Sequence, residues 1–117
     1  MTYKIAVSST DGKVVNQHFG KSQIFYIVEA DSESLEYRYV ESRKVRPVCS
    51  GQDHDPTQLE MLALQLKDCD CVLVSRIGYL ARMILEQNGV MAYEIPGIIS
   101  ESVKHLISYI TVQKLLL

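Results

Sequence analysis

Cys71-Val72-Leu73-Val74-Ser75-Arg76-Ile77-Gly78 is the stretch whose reading decides the fold. Its first four residues form a short, continuous apolar run of the kind that buried parallel strands show. Ser75 to Gly78 then lead into a predicted helix with Leu80, Ile84 and Gln87 on one face and Met83 beside them, closed by Asn88 and Gly89 as a C-terminal cap. Val90 to Tyr93 reads as the next strand, so this half of the chain is a βαβ unit. Pro96 and Gly97 predict a turn, and Ser100 is the expected cap of a last helix carrying Val103, Leu106, Ile107 and Ile110. Upstream, Asp55 reads as an N-cap, Pro56 as the first helical residue, and Gln58 stands in capping-box position. Leu59, Leu62 and Leu66 follow at helical spacing, with Ala63 alongside, as on a helix that packs on a sheet.

The first half follows a different rule. Tyr3, Ile5 and Val7 alternate with Lys4, Ala6 and Ser8, the period of a strand, and Ser9 to Gly12 turn the chain. Lys13, Val14 and Val15 form a short extension. Between Gln23 and Ala30 apolar residues occupy both parities, which predicts a central strand covered on both faces. Asp31 to Ser34 is a polar turn, and Leu35, Tyr37 and Tyr39 alternate with polar residues in the second strand of a hairpin that Pro47 ends. The expected architecture is therefore α/β: a five-stranded mixed sheet, an antiparallel hairpin half followed by a βαβ half, helices on both faces and a right-handed crossover. Ligands of such sheets gather at strand ends.

Residues 1–117 read as one domain, without repeat or linker. With 47% hydrophobic and 22% charged residues, the chain can bury a core without disulfides or a structural metal, so a metal would be functional. Twelve basic and 14 acidic residues, net charge -2, provide no broad positive field for nucleic acid or acidic lipid. The three cysteines are an odd number, and Cys69 and Cys71 stand too close together for an ordinary bridge, which fits a reducing, cytoplasmic compartment. The N-terminus carries no signal-peptide pattern and no apolar run approaches membrane-spanning length. The apolar tail Leu115, Leu116, Leu117 suits docking on its own domain or on a partner, including a second copy in a homodimer.

The chain's soft-ligand chemistry is concentrated in two stretches, Asn16-Gln17-His18-Phe19-Gly20 and Cys49-Ser50-Gly51-Gln52-Asp53-His54. Both are expected at joints between elements and to meet in space, with Gly20 and Gly51 allowing close backbone approach and Gly20 expected at a positive-φ turn. Thiolate and imidazole donors suit iron-sulfur species, copper or zinc, and the Cys49 to His54 loop feeds a helix N-terminus that favours a bound anion. Against this stands the plain reading of a polar surface loop with a chance cysteine. For the remaining candidates the plain reading is taken: Phe19 a core anchor, Cys69 and Cys71 buried structural thiols, His105 solvated on the last helix. The run Arg38, Arg43, Lys44, Arg46 reads equally as an anion patch or as the wet face of a strand. Ser75 to Gly78, with Arg76 and Gly78, reads equally as an anion cradle of backbone N–H groups or as a connector.

The opening strand, the turn at Asp11 and Gly12, the unit His18-Phe19-Gly20 followed by Phe25, Ile27 and Glu29, then Cys49 and Gly51, Asp68-Cys69-Asp70-Cys71, Val74 and Arg76-Ile77-Gly78, resemble the dinitrogenase iron-molybdenum cofactor biosynthesis family. That family comprises NifX-like proteins and the C-terminal domain of NifB. The resemblance covers nearly the whole chain in order. It implies a ribonuclease H-like three-layer α/β/α sandwich that binds an iron-sulfur or iron-molybdenum cofactor precursor and passes it between donor and acceptor proteins. By position it implies His18 and Cys49 as cluster ligands; local geometry adds His54. Gly20, Ser50, Gly51, Arg76 and Gly78 are the expected surroundings of the cargo. The radical-chemistry motif Cys-x3-Cys-x2-Cys of the NifB synthase is absent from this stretch.

A transient carrier, not an enzyme, is the expected function, because three possible ligands are too few for a closed four-coordinate site. A nuclease of ribonuclease H topology would hold metals on several strand-end carboxylates, whereas the acids here fall mostly in turns and caps. The alternative is a regulatory module that binds a small anion or another protein on the same frame, unrelated to nitrogen fixation.

Overall fold

The computed structural model describes residues 1–47 and 56–116. The elements are β1 (Thr2–Ser8), β2 (Val14–Val15), β3 (Ile24–Asp31), β4 (Tyr37–Lys44), α1 (Pro56–Gln65), β5 (Cys71–Val74), α2 (Tyr79–Gln87), β6 (Met91–Glu94), β7 (Gly97–Ile98) and α3 (Ile99–Leu116). Five strands form one sheet in the order β4-β3-β1-β5-β6. β1 pairs antiparallel with β3 and β3 with β4, while β5 is parallel to both β1 and β6. The expected mixed sheet, with its hairpin half and its βαβ half, is thus present.

Two cores flank it. On one face Ala6, Phe25, Ile27, Val72 and Val74 meet Leu59, Leu62 and Ala63 of α1 and Ala81, Ile84 and Leu85 of α2. On the other, Ile5, Val7, Val28, Cys71 and Leu73 meet Val103, Leu106, Ile107 and Ile110 of α3. Alternate residues of one strand feed opposite cores, so β1, β3 and β5 are apolar at both parities, which is why no alternation marks β3 and β5 in the sequence. All four residues of β5 are buried.

The cap expected at Asn88 and Gly89 is complete. Gly89 lies at φ +79°, its N–H donates to the Glu86 carbonyl at 3.0 Å, and the Val90 N–H reaches back to the Leu85 carbonyl at 2.9 Å. Several finer expectations are corrected. The buried face of α2 is Ala81, Ile84 and Leu85; Leu80 is 40% exposed and Gln87 is also on the outside. Leu35 belongs to the turn and not to the strand, at φ +63°, its N–H bonded to the Asp31 carbonyl. Gly97 is not simply a turn residue: β7 pairs with β2 in a separate two-stranded sheet, Val14 opposite Ile98 and Val15 opposite Gly97. Ser100 lies inside the first turn of α3, which begins at Ile99. The caps at Asp55 and the loop from Val48 lie outside the described residues.

Candidate functional site

The unit His18-Phe19-Gly20 is held from three sides. Phe19 is buried, its ring centroid 5.9 Å from that of Phe25, and it pins the short 3-10 turn Phe19–Lys21 to the core. Beneath the turn, the buried Ser22 hydroxyl donates to the His18 carbonyl at 3.0 Å and is itself hydrogen-bonded to the buried Ser8 hydroxyl at the end of β1. Beside it runs the segment after β5: the Ser75 N–H donates to the Gln17 carbonyl at 3.0 Å and the Phe19 N–H to the Arg76 carbonyl at 2.8 Å, making a parallel bridge between His18 and Arg76. The backbone is fixed, yet the His18 side chain is exposed. Gly20 is the middle residue of the 3-10 turn; the positive-φ glycines among the described residues are Gly12, Gly89 and Gly97, so the left-handed turn expected at Gly20 is not there.

These two segments wall a cleft of about 520 Å³, lined by His18, Gly20 and Lys21 from the first, Arg76 to Leu80 from the second, and Leu59 and Glu94. Four of the expected site residues, His18, Gly20, Arg76 and Gly78, are therefore brought together. Cys49, Ser50, Gly51 and His54 lie outside the described residues. The neighbour found for the His18 loop is the Ser75 to Gly78 segment, at the C-terminal ends of β5 and β6, where parallel strands present their ligands.

The cleft is rich in donors. Gly78 is the N-cap of α2 and supplies no side-chain cap, so the N–H groups of the helix's first turn have no intrahelical acceptor. A Cβ at Gly78 would meet nothing within 4 Å, so the open backbone there is accessible from the cleft. Arg76, Lys21 and His18 are all exposed around it. Glu94, which also lines the cleft, accepts the Ile77 N–H at 2.9 Å and stands 3.8 Å from Arg82. Among the described residues no three His, Cys, Asp or Glu side chains converge as a metal-holding group. Among the described residues the cleft thus offers one imidazole, the cationic side chains of Lys21 and Arg76, the Glu94 carboxylate and backbone N–H donors.

Cys69 and Cys71 are removed from this chemistry. Burial pushes the Cys69 thiol up to about 11 and the Cys71 thiol up to about 12, as for buried structural thiols, and neither lines the cleft. The anion-patch reading of the basic run also fails for two of its members. Arg43 makes a bidentate pair with Asp68 at 2.7 Å and also reaches Glu41, while Arg38 pairs with Glu29.

The family model described as dinitrogenase iron-molybdenum cofactor matches residues 1–109. The chain belongs to that family. Its matches include the FeMo cofactor biosynthesis protein NifB of Chlorobaculum tepidum, 34% identical over 99 residues covering 85% of this chain and 22% of that protein. NifB of Frankia alni is 36% identical over 105 residues, 87% of this chain and 20% of that protein. This member of the family thus spans about a fifth of the length of these curated relatives. Among solved structures, that of PH0822 superposes with a TM-score of 0.65 at 25% identity, covering 90% of each chain. The NMR structure of a Thermotoga protein provisionally assigned to NifB shares the fold, with a TM-score of 0.54 at 19% identity over 89% of this chain and 86% of that one. No helix among the described residues is long and apolar enough to cross a membrane.

Sequence reasoning missed Lys21, Glu94 and the Ser8–Ser22 pair. Glu94 carries a recognisable signal, because it ends a parallel strand, but the strand read from the sequence stopped at Tyr93. The serine pair has none, since two small polar residues far apart in the chain show no periodicity.

Proposed function

We propose that this family member is a binding protein that transiently holds an iron-sulfur or iron-molybdenum cofactor precursor as cargo, in the cleft between the His18 turn and the Ser75 to Gly78 segment, within cofactor biosynthesis. The observation that carries the reading is the exposed His18 imidazole on an immobilised backbone, facing a cleft of uncapped N–H groups and cations. Such clusters are anionic and sulfur-rich. Imidazole supplies one exchangeable bond to iron, and Arg76, Lys21 and the α2 N-terminus supply the counter-charge. Cys49 and His54, in the segment that leads into α1, are the further ligands in this reading, with Gly20, Ser50, Gly51, Arg76 and Gly78 around the cargo. A site without a closed cage releases what it holds, as a non-catalytic carrier between cluster donor and acceptor proteins requires. The antiparallel hairpin half joined to a parallel βαβ half is consistent with the ribonuclease H-like sandwich. A cytoplasmic location and a homodimer formed through the leucine tail belong to the same proposal.

The test is anaerobic reconstitution of the chain with iron and sulfide, read by visible absorption and by iron and sulfide analysis, for wild type, His18→Ala and Cys49→Ala. Loss of cluster in the variants, with folding intact, supports the reading. Equal retention in all three removes it and leaves the small-anion or protein-interaction module.

A further inference from the structure

One peptide unit stands between the two walls of the cleft. Its carbonyl, from Arg76, accepts the Phe19 N–H at 2.8 Å, and its N–H, from Ile77, donates to Glu94 Oε2 at 2.9 Å. Because a peptide is a rigid plane, a bond at each end fixes its rotation about the chain. Glu94 is well placed to hold its end. It terminates β6, in register with Val74 at the end of β5, and the Ile95 N–H bonds the Val74 carbonyl at 3.0 Å. Its other carboxylate oxygen lies 3.8 Å from Arg82, and Arg82 Nη1 donates to the Ala92 carbonyl at 2.7 Å, so the arginine ties α2 to β6 across the carboxylate.

We infer that Glu94 is a positioning residue for His18: through the Arg76–Ile77 peptide plane it sets the acceptor that holds the Phe19 N–H, and with it the orientation of the imidazole one residue earlier. Without the carboxylate the Ile77 N–H loses its acceptor, the plane is free to rotate, and the Arg76 carbonyl turns away from Phe19. His18 is itself exposed, with its side chain anchored through the backbone of its own turn. The plane is thus the route by which the β6 edge reaches the site. The functional consequence rests on the proposed cargo role of His18; the mechanical one does not.

The experiment is amide hydrogen exchange of the full 117-residue chain by NMR for wild type, Glu94→Ala and Glu94→Gln, with the His18 ring signals followed in the same samples. In Glu94→Ala the Ile77 and Phe19 amides should both exchange about tenfold faster or more, the size expected for loss of a hydrogen bond to a charged group. The Val72 amide in buried β5 should stay unchanged and the His18 ring signals should shift. Glu94→Gln keeps an acceptor oxygen and should restore most of the protection. Faster exchange at Ile77 with no change at Phe19 and His18 would overturn the inference. If Glu94→Ala does not fold, Glu94→Asp, whose carboxylate falls short of Ile77, carries the same expectation. In the iron-sulfide reconstitution, Glu94→Ala should retain several-fold less cluster than Glu94→Gln, the two variants having lost the same charge from the cleft and differing in the acceptor for the Ile77 N–H. If His18→Ala retains cluster normally while the exchange results hold, the positioning role stands and the cargo reading falls.

Discussion

Substituting Ser22 by alanine tests whether the His18 turn is held from below as described. Ser22 is 1% exposed and Ser8 fully buried. The Ser22 hydroxyl has one proton, which it gives to the His18 carbonyl, so the Ser8 hydroxyl must donate to Ser22. Ser22→Ala therefore removes the tie to His18, about 1 kcal/mol, and strands the buried Ser8 donor at a further cost of roughly 1–3 kcal/mol, for a total of roughly 2–4 kcal/mol. Ser8→Ala leaves the tie to His18 in place and should cost only about 1 kcal/mol. The double variant has no stranded donor and should be more stable than Ser22→Ala alone, because replacing both partners by apolar groups removes the desolvation penalty. Urea unfolding of the four proteins measures the cycle, and thermal midpoints should follow at roughly 3–6 °C per kcal/mol for a chain of this size. If Ser8→Ala further destabilises the Ser22→Ala background, the two hydroxyls do not form the pair described and the reasoning fails.

Phe19→Ala should cost roughly 3–5 kcal/mol in urea unfolding, because the ring is buried against Phe25; a cost below about 1 kcal/mol would deny it the role of anchor. At Gly89 a Cβ meets nothing within 4 Å, so Gly89→Ala should lose only the left-handed backbone preference, about 1–2 kcal/mol, in the same assay. The Arg43 guanidinium, helped by Lys4, holds the Asp68 carboxyl well below the usual carboxylate range. A lowered folded-state value stabilises the protein above the ordinary carboxylate range, and that contribution is lost as pH falls through the folded-state value. The gap in thermal midpoint between wild type and Asp68→Asn should therefore be present at neutral pH and close in acid, modest in size because Asp68 is 46% exposed. A gap that widens in acid would reverse that account. Alkylation of Cys69 and Cys71 at pH 8, followed by peptide mass spectrometry, should be slower in the folded chain than in denaturant by about two orders of magnitude or more. Equal rates would show that the thiols are not shielded.

What the sequence revealed and what it hid divide along physical lines. The continuous run Cys71 to Val74 announced a strand buried on both faces, and Asn88-Gly89 announced its helix cap, because each depends on local chemistry that leaves a local mark. On α2 the larger Leu80 drew the predicted face one position away from the small Ala81 that in fact packs inward, leaving Leu80 at the cleft. β2 and β7 are two residues each and exist through each other, a pairing too short for any periodicity to register. Leu35 fitted the alternation of its neighbours, and nothing in an alternation reports a left-handed backbone at a non-glycine residue. For the site, the His18 unit and the Ser75 to Gly78 segment were each legible as loops of interest. Their contact was not, because it is made by backbone groups that every residue carries.

The most direct test of the central claim is iron and sulfide content with visible absorption after anaerobic reconstitution of wild type beside His18→Ala. The account predicts charge-transfer absorption with stoichiometric iron in the wild type, and its loss or sharp reduction in a variant that remains folded. A wild type that stays colourless and iron-free, or a His18→Ala protein that holds as much cluster as wild type, would contradict it.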